Sequence, residues 1–105
     1  MIRVVVVGHT YIVPENRGKL RRIARMQDID LTLICPETWI EPDFGVRSFQ
    51  DEPGLSTVVL LIVKAGNVRR YRFRQRELTA TLKQLQPDIV QLESEAISLA
   101  TLQMA

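Results

Sequence analysis

Runs of apolar residues, separated by polar segments, divide this chain into alternating predicted strands and helices. Residues 2–7 (IRVVVV) are almost uniformly β-branched and lack the apolar/polar alternation of a half-exposed strand. A strand that is apolar on both sides is typical of the interior of a parallel sheet with helices on both faces. We therefore predict a central strand at 2–7. Further buried strands are predicted at residues 31–35, 57–63 and 89–92.

Helical spacing appears between these strands. In residues 15–26, Leu20, Ile23 and Ala24 mark an apolar face. Most of the basic residues of this segment fall on the opposite face: Arg17, Lys19, Arg21, Arg22 and Arg25. Residues 70–85 carry leucines at i, i+4 and i+7, which predicts a second helix. A third helix is predicted to begin at Ser94, a residue suited to an N-cap.

The order of these elements predicts an α/β fold. We expect a single Rossmann-like domain over residues 1–105, a three-layer sandwich with a mostly parallel sheet of about four strands. Residues 36–56 are expected to form an irregular loop, with a short strand near 46–49. Doubly wound sheets usually have five or six strands. The pattern therefore predicts an incomplete domain.

Charge is segregated along the chain, although the net charge is only +2. Residues 1–26 and 57–85 are basic, whereas 27–56 and the last twenty residues are acidic. The small net charge argues against nucleic acid as the main partner. The two basic blocks can still form one positive face if they fold side by side.

Cysteine content and hydropathy indicate the cellular compartment that suits the chain. The single cysteine, Cys35, excludes an internal disulfide and suits a reducing compartment. No apolar run reaches the roughly 18–20 residues of a membrane span, and no signal-peptide pattern is present. We expect a cytoplasmic protein, in peripheral contact with a membrane at most. With one histidine and one cysteine, no tetrahedral metal cluster is expected within a chain.

Candidate chemistry lies after the strands, because ligands of open α/β sheets bind beyond the carboxyl ends of strands. After the first strand stand Gly8, His9, Thr10 and Tyr11, and after the fourth stand Glu93, Ser94 and Glu95. His9 suits a general base or a loop histidine bonded to backbone. The glutamates suit acid/base chemistry, or simply the first turn of a helix. We expect His9 and Glu93 to lie near each other.

Aromatic and basic residues offer two further candidates. The arginines Arg69, Arg70, Arg72 and Arg74, interleaved with Tyr71 and Phe73, suit phosphate or a membrane surface. The simpler interpretation is a solvated helix face, which we prefer. Trp39 either packs a loop down or offers a platform to a sugar, and packing is the preferred interpretation. Cys35 ends a buried strand and is expected to be inert.

Three segments together resemble the start of a bacterial family 4 glycosyltransferase: MIRVVVVGHTYIVPENRGKL, LTLICPETWIEPDFG and LQPDIVQLESEAISLA. The resemblance covers nearly the whole chain in order and spacing. It implies the N-terminal, acceptor-side part of an enzyme with the GT-B arrangement, in which two Rossmann-like domains face each other across a cleft. The chain departs from the family at Gln91, where members often have a histidine.

The resemblance also implies a reaction, a donor and a site. Such enzymes move a sugar from a nucleotide-sugar donor with retention at the anomeric carbon, usually without a metal. The donor-binding residues belong to the other domain, so no cofactor is expected in this chain. Residues Gly8 to Tyr11 and Glu93 to Glu95 would face the cleft. The competing hypothesis is a stand-alone α/β binding or interaction module without catalysis.

Two expectations concern the chain as a whole. We expect the 105-residue chain alone to lack glycosyltransferase activity, because the donor-binding half is missing from it. A short sheet with unpaired edges also favours association with another chain. We therefore expect a homo-oligomer, formed through an edge strand or through exchange of the C-terminal helix.

Overall fold

A computed structural model of the protein describes residues 1–41, 43–67 and 70–93. Two short 3-10 turns, Thr10–Ile12 and Pro14–Arg17, precede the first α-helix. The helix predicted from Ser94 lies outside the described residues. In the described part of the chain, no helix has the length and apolar character needed to cross a membrane. The strands and helices are, in chain order, β1 (Ile2–Val7), α1 (Gly18–Ala24), β2 (Ile29–Pro36), β3 (Thr38–Glu41), β4 (Gly45–Ser48), β5 (Ser56–Leu60), β6 (Ile62–Val63), β7 (Arg72–Phe73), α2 (Gln75–Leu85) and β8 (Ile89–Leu92).

Four strands form a parallel sheet in the order β5-β2-β1-β8. β1 is central because it pairs with β2 on one side and with β8 on the other. The consecutive residues Val5, Val6 and Val7 are all buried, so both faces of the strand are covered. The predicted α/β class, with a Rossmann-like parallel sheet of about four strands, is confirmed.

The strand order reverses between β1 and β8. The chain runs from β1 through α1 to β2 and β5, then returns through α2 to β8 on the far side of β1. Crossovers between parallel strands are right-handed. The chain moves across the sheet in one direction after β1 and in the other direction after β5, so α1 and α2 lie on opposite faces. Ligand crevices of such sheets open at the carboxyl ends of the strands that flank the reversal. Those strands are β1 and β8 here.

The segment before α2 corrects the prediction of one helix over residues 70–85. α2 begins only at Gln75, and β7 pairs antiparallel with β6 in a two-stranded ribbon. Tyr71 and Phe73 are buried, whereas the arginines that alternate with them, Arg70, Arg72 and Arg74, are exposed. This alternation has a period of two, which favours a strand over a helix. The ribbon also divides the predicted strand at 57–63, because β5 ends at Leu60 and β6 leaves the main sheet.

Residues 36–56 are more ordered than the predicted irregular loop. β3 and β4 pair antiparallel as a hairpin, and β4 largely matches the short strand predicted near 46–49. The turn between β6 and β7 packs against this hairpin. Gly66 lies there at φ +94°, and a Cβ on it would lie 2.8 Å from the carbonyl oxygen of Ile40. Hairpin and ribbon are therefore joined by a close backbone approach that only glycine permits.

Candidate functional site

Gly8 and Glu93 lie side by side at the carboxyl edge of the parallel sheet. Val7 and Leu92 end β1 and β8 in register. The N–H of Glu93 donates a hydrogen bond to the carbonyl oxygen of Val7 at 2.8 Å. On the other side, the N–H of Gly8 donates to the carbonyl oxygen of Ile34 in β2 at 3.3 Å. The loop after β1 and Glu93 therefore meet where the strand order reverses.

Gly8 is closely packed, because two groups lie directly against its backbone. A Cβ there would lie 3.1 Å from Cδ2 of Tyr11 and 3.2 Å from the carbonyl oxygen of Glu93. The Tyr11 ring is buried and folds back over the glycine. This places the Tyr11 hydroxyl within reach of the Glu93 carboxylate.

Glu93 is the centre of a polar group that we call the carboxylate cluster: Tyr11, Lys19, Gln91 and Glu93. The Tyr11 hydroxyl donates a hydrogen bond to Oε2 of Glu93. Oε1 accepts from Nζ of Lys19 at 2.5 Å and from Nε2 of Gln91 at 3.2 Å. The cluster joins the first loop, α1 and β8, and it can present hydrogen-bond acceptors and one cation to a ligand.

Partial burial gives the Glu93 carboxyl an unusual proton affinity. Desolvation raises its pKa above the ordinary value. The neighbouring Lys19 side chain is 57% exposed, so water screens its charge and limits the opposing effect. A carboxyl group with a raised pKa keeps its proton to a higher pH than an ordinary glutamate does.

His9 faces an aromatic cluster formed with Trp39 and Tyr71. The His9 ring stacks on Trp39 at 4.2 Å between centroids and meets Tyr71 edge-on at 5.4 Å. Trp39 is buried, which supports the packing interpretation over a sugar platform. His9 and Glu93 both follow neighbouring strands at one edge. The ring contacts described for His9 lie in the aromatic cluster, and the Tyr11 hydroxyl is a first-loop group bonded to Glu93.

Arg17 holds the first loop in place, a role the sequence does not reveal. It was predicted with the polar face of the first helix, yet it is fully buried. Its Nε donates to the carbonyl oxygen of Tyr11 at 2.6 Å and its Nη2 to that of Ile12 at 3.2 Å. Its Nη1 donates to Gln50 O at 2.8 Å, and the guanidinium lies 4.6 Å from the centroid of Phe49. The sequence gives no signal of this role, because Arg17 is one of several basic residues in the segment and its spacing does not distinguish it from the others.

The remaining predicted site residues divide into placed and unplaced ones. Thr10 is exposed, and its carbonyl oxygen accepts a hydrogen bond from Nδ2 of Asn16 at 2.8 Å. Arg70, Arg72 and Arg74 are exposed on or beside the ribbon, and all three precede the first residue of α2, although they were predicted on a helix. Three predicted residues lie outside the described ones: Arg69, Ser94 and Glu95.

In the described residues, neither Cys35 nor a cluster of metal-ligating side chains adds a reactive group to the candidate site. Burial raises the pKa of the Cys35 thiol to about 12, so the thiol stays protonated and unreactive near neutral pH. Over residues 1–41, 43–67 and 70–93, no three His, Cys, Asp or Glu side chains gather as metal ligands would.

A groove of about 490 Å³ begins directly after the first loop. One wall is formed by Ile12, Val13 and Pro14, and the other by the exposed side chains of β4 and its flanking turns. Phe44 and Val46 are among them and are 74% and 67% exposed. We call this the hairpin groove. It has the volume of a small-molecule site, and its lining combines polar and apolar side chains.

Comparison with known proteins adds no information about the candidate site. No family model, curated protein sequence or solved structure matches the chain. The function proposed below therefore rests on the geometry of the described residues and on the resemblance carried by the three segments.

Proposed function

We propose that this chain is the acceptor-side, Rossmann-like part of a retaining glycosyltransferase that moves a sugar from a nucleotide-sugar donor to an acceptor. The observation that carries the proposal is the adjacency of Gly8 and Glu93 across the reversal between β1 and β8. This is the place where α/β sheets bind ligands. The two segments that meet there are the ones through which the sequence resembles the family.

The chemistry of the carboxylate cluster suits a hydroxyl-rich ligand with a negative charge. A carboxylate accepts hydrogen bonds from sugar hydroxyls, and such bonds to a charged acceptor are stronger than those between neutral groups. The exposed ammonium of Lys19 offers a charge partner to a diphosphate.

The hairpin groove supports an acceptor site on this part of the enzyme. It begins at Ile12, the residue after Tyr11 in the chain. Its lining of both polar and apolar side chains suits an acceptor with a polar and a nonpolar portion.

The alternative function is a stand-alone binding or interaction module without catalysis. One observation favours it. Glu93 is already engaged by Tyr11 and Lys19, as a purely structural tie between β8, the first loop and α1 would be. In that case the cluster stabilises the fold and binds no sugar.

Ligand binding to the whole 105-residue chain separates the two functions. Uridine diphosphate glucose, other nucleotide sugars and simple sugar acceptors are titrated into the isotope-labelled chain, and amide NMR shifts are followed. We expect shifts at residues 8–11 and at Glu93. Glu93→Gln should weaken binding by about tenfold or more, because a hydrogen bond to a charged acceptor is lost.

Asp30→Asn is the matched control. This exposed carboxylate lies near the amino end of β2, at the end of the parallel strands opposite to Glu93. It should leave binding unchanged. An absence of shifts at millimolar ligand, or an equal effect of the two variants, would reject the sugar site and favour the binding module.

A further inference from the structure

Arginines and aromatic residues occupy opposite sides of the β6–β7 ribbon. Tyr71 and Phe73 are 0% and 1% exposed, whereas Arg70, Arg72 and Arg74 are exposed. Alternate residues of an extended segment point to opposite faces. Arg72 and Arg74 therefore share the outer face of the ribbon, while the two rings anchor it to the core. Arg70 is exposed in the turn just before β7.

Aliphatic side chains lie among these arginines. Val63 pairs directly with Arg72 across the ribbon, so the two side chains share a face. The N–H of Arg74 donates to the carbonyl oxygen of Leu61 at 3.4 Å. Leu61 and Val63 are 41% and 36% exposed. We call the surface formed by Leu61, Val63, Arg72 and Arg74, together with Arg70 in the adjoining turn, the arginine ribbon.

The charge of the arginine ribbon is not neutralised by the described part of the chain. The ion pairs among those residues use Arg17, Lys19 and Arg21, all on the α1 side of the molecule. Lys64 and Arg76 flank the ribbon and are exposed as well. Arg72 and Arg74 are two positions apart on extended backbone, which separates them by roughly 7 Å. This separation lies within the Debye length of about 8 Å, so the two charges act together.

We propose that the arginine ribbon docks on the surface of a bilayer containing anionic phospholipids. Guanidinium groups pair bidentately with lipid phosphates, and the exposed Leu61 and Val63 can enter the interfacial layer between them. Single-stranded nucleic acid fits this surface less well. Its binding sites use exposed aromatic rings for base stacking, and both aromatic rings of this segment are buried. The proposal does not depend on the sugar site.

Co-sedimentation of the whole chain with vesicles tests the proposal. Vesicles of phosphatidylglycerol mixed with phosphatidylcholine should bind the chain, and phosphatidylcholine alone should not. Arg72→Gln combined with Arg74→Gln should lower the partition coefficient about 30-fold, at about fivefold for each basic residue near an anionic surface. Val63→Ser should also weaken binding, since it removes apolar contact without changing charge.

Arg22→Gln combined with Arg25→Gln is the matched control. These arginines are exposed on and just after α1, and the double change removes the same net charge. Binding should then fall by less than about threefold. Equal losses in both double variants would overturn the proposal and indicate nonspecific charge attraction. So would efficient competition by free glycerol phosphate, which would indicate a phosphate site, or tighter binding to a single-stranded oligonucleotide than to the vesicles.

Discussion

The Arg17 guanidinium is fully buried although it stands in the most basic stretch of the first half of the chain. Three backbone carbonyls, those of Tyr11, Ile12 and Gln50, accept its hydrogen bonds. These carbonyls belong to two irregular segments that have no strand partner there. A long side chain with a fork of donors satisfies them together, which a lysine with its single ammonium could not do as well.

Replacing Arg17 by methionine is expected to lower the free energy of unfolding by about 3–5 kcal/mol, since it leaves buried polar groups without their partner. Urea unfolding followed by Trp39 fluorescence measures this change. Arg22→Met, at an exposed position of α1, should change stability by no more than about 0.5 kcal/mol. If both variants unfold at the same urea concentration, Arg17 does not have the structural role assigned to it.

At the scale of elements, α1 is fastened to the segment before β5 by an ion pair. Nε of Arg21 lies 2.6 Å from Oε2 of Glu52, and its Nη2 lies 2.8 Å from Oε1. This bidentate hydrogen bonding from Arg21 lowers the pKa of Glu52, and the nearby Arg17 charge adds to the effect. The ionised carboxylate is therefore favoured by folding.

The depressed pKa predicts how the stability of this tie changes with pH. Its contribution is complete above the pKa of the unfolded glutamate, about 4.3, and is lost as pH falls through the lower folded-state value. Thermal unfolding between about pH 6 and pH 3 should therefore show a smaller acid-induced drop for Glu52→Gln than for the native chain. Asp51→Asn, next to it but exposed, is the control. A slope equal to that of the native chain in Glu52→Gln would contradict the prediction.

At the scale of the whole molecule, the parallel sheet has an open apolar edge in the described residues. β8 pairs only with β1 there, and its Ile89 and Val90 are 50% and 40% exposed. Unpaired backbone groups and exposed apolar side chains favour pairing with another chain. An antiparallel pairing of two β8 strands would form a self-complementary, two-fold symmetric interface.

Light scattering over a range of concentrations should therefore detect a dimer of the 12.0 kDa chain. Val90→Lys should shift the equilibrium toward monomer, because a charged side chain at a sheet edge opposes pairing. Val59→Lys, at the opposite edge in β5, should have little effect. A constant monomeric mass into the high micromolar range excludes this association, and dissociation by Val59→Lys alone locates the interface at β5 instead.

The local pattern of apolar and polar residues was sufficient to predict the strands of the sheet and the end of those strands at which the candidate site lies. Consecutive β-branched residues at 2–7 predict a strand buried on both faces, and such a strand belongs in a parallel sheet. The carboxyl ends of parallel strands lie on one edge, so Gly8 and Glu93 could be assigned to that edge before any coordinates were known. The second helix was recognised from Leu78, Leu82 and Leu85, although its start was placed too early.

Contacts between residues that are far apart in the sequence decided how the candidate site is assembled. Tyr11 and Glu93 are 82 positions apart, and Lys19 and Glu93 are 74 apart, so no local spacing indicates that they form one cluster. Arg17 looks like its exposed neighbours until the fold surrounds it with carbonyl groups. Sequence by itself therefore determined the α/β class and the strands that bound the site, because burial of a strand depends on local side-chain pattern. Only the tertiary structure decided which polar side chains meet there, because those meetings depend on how far separated segments pack.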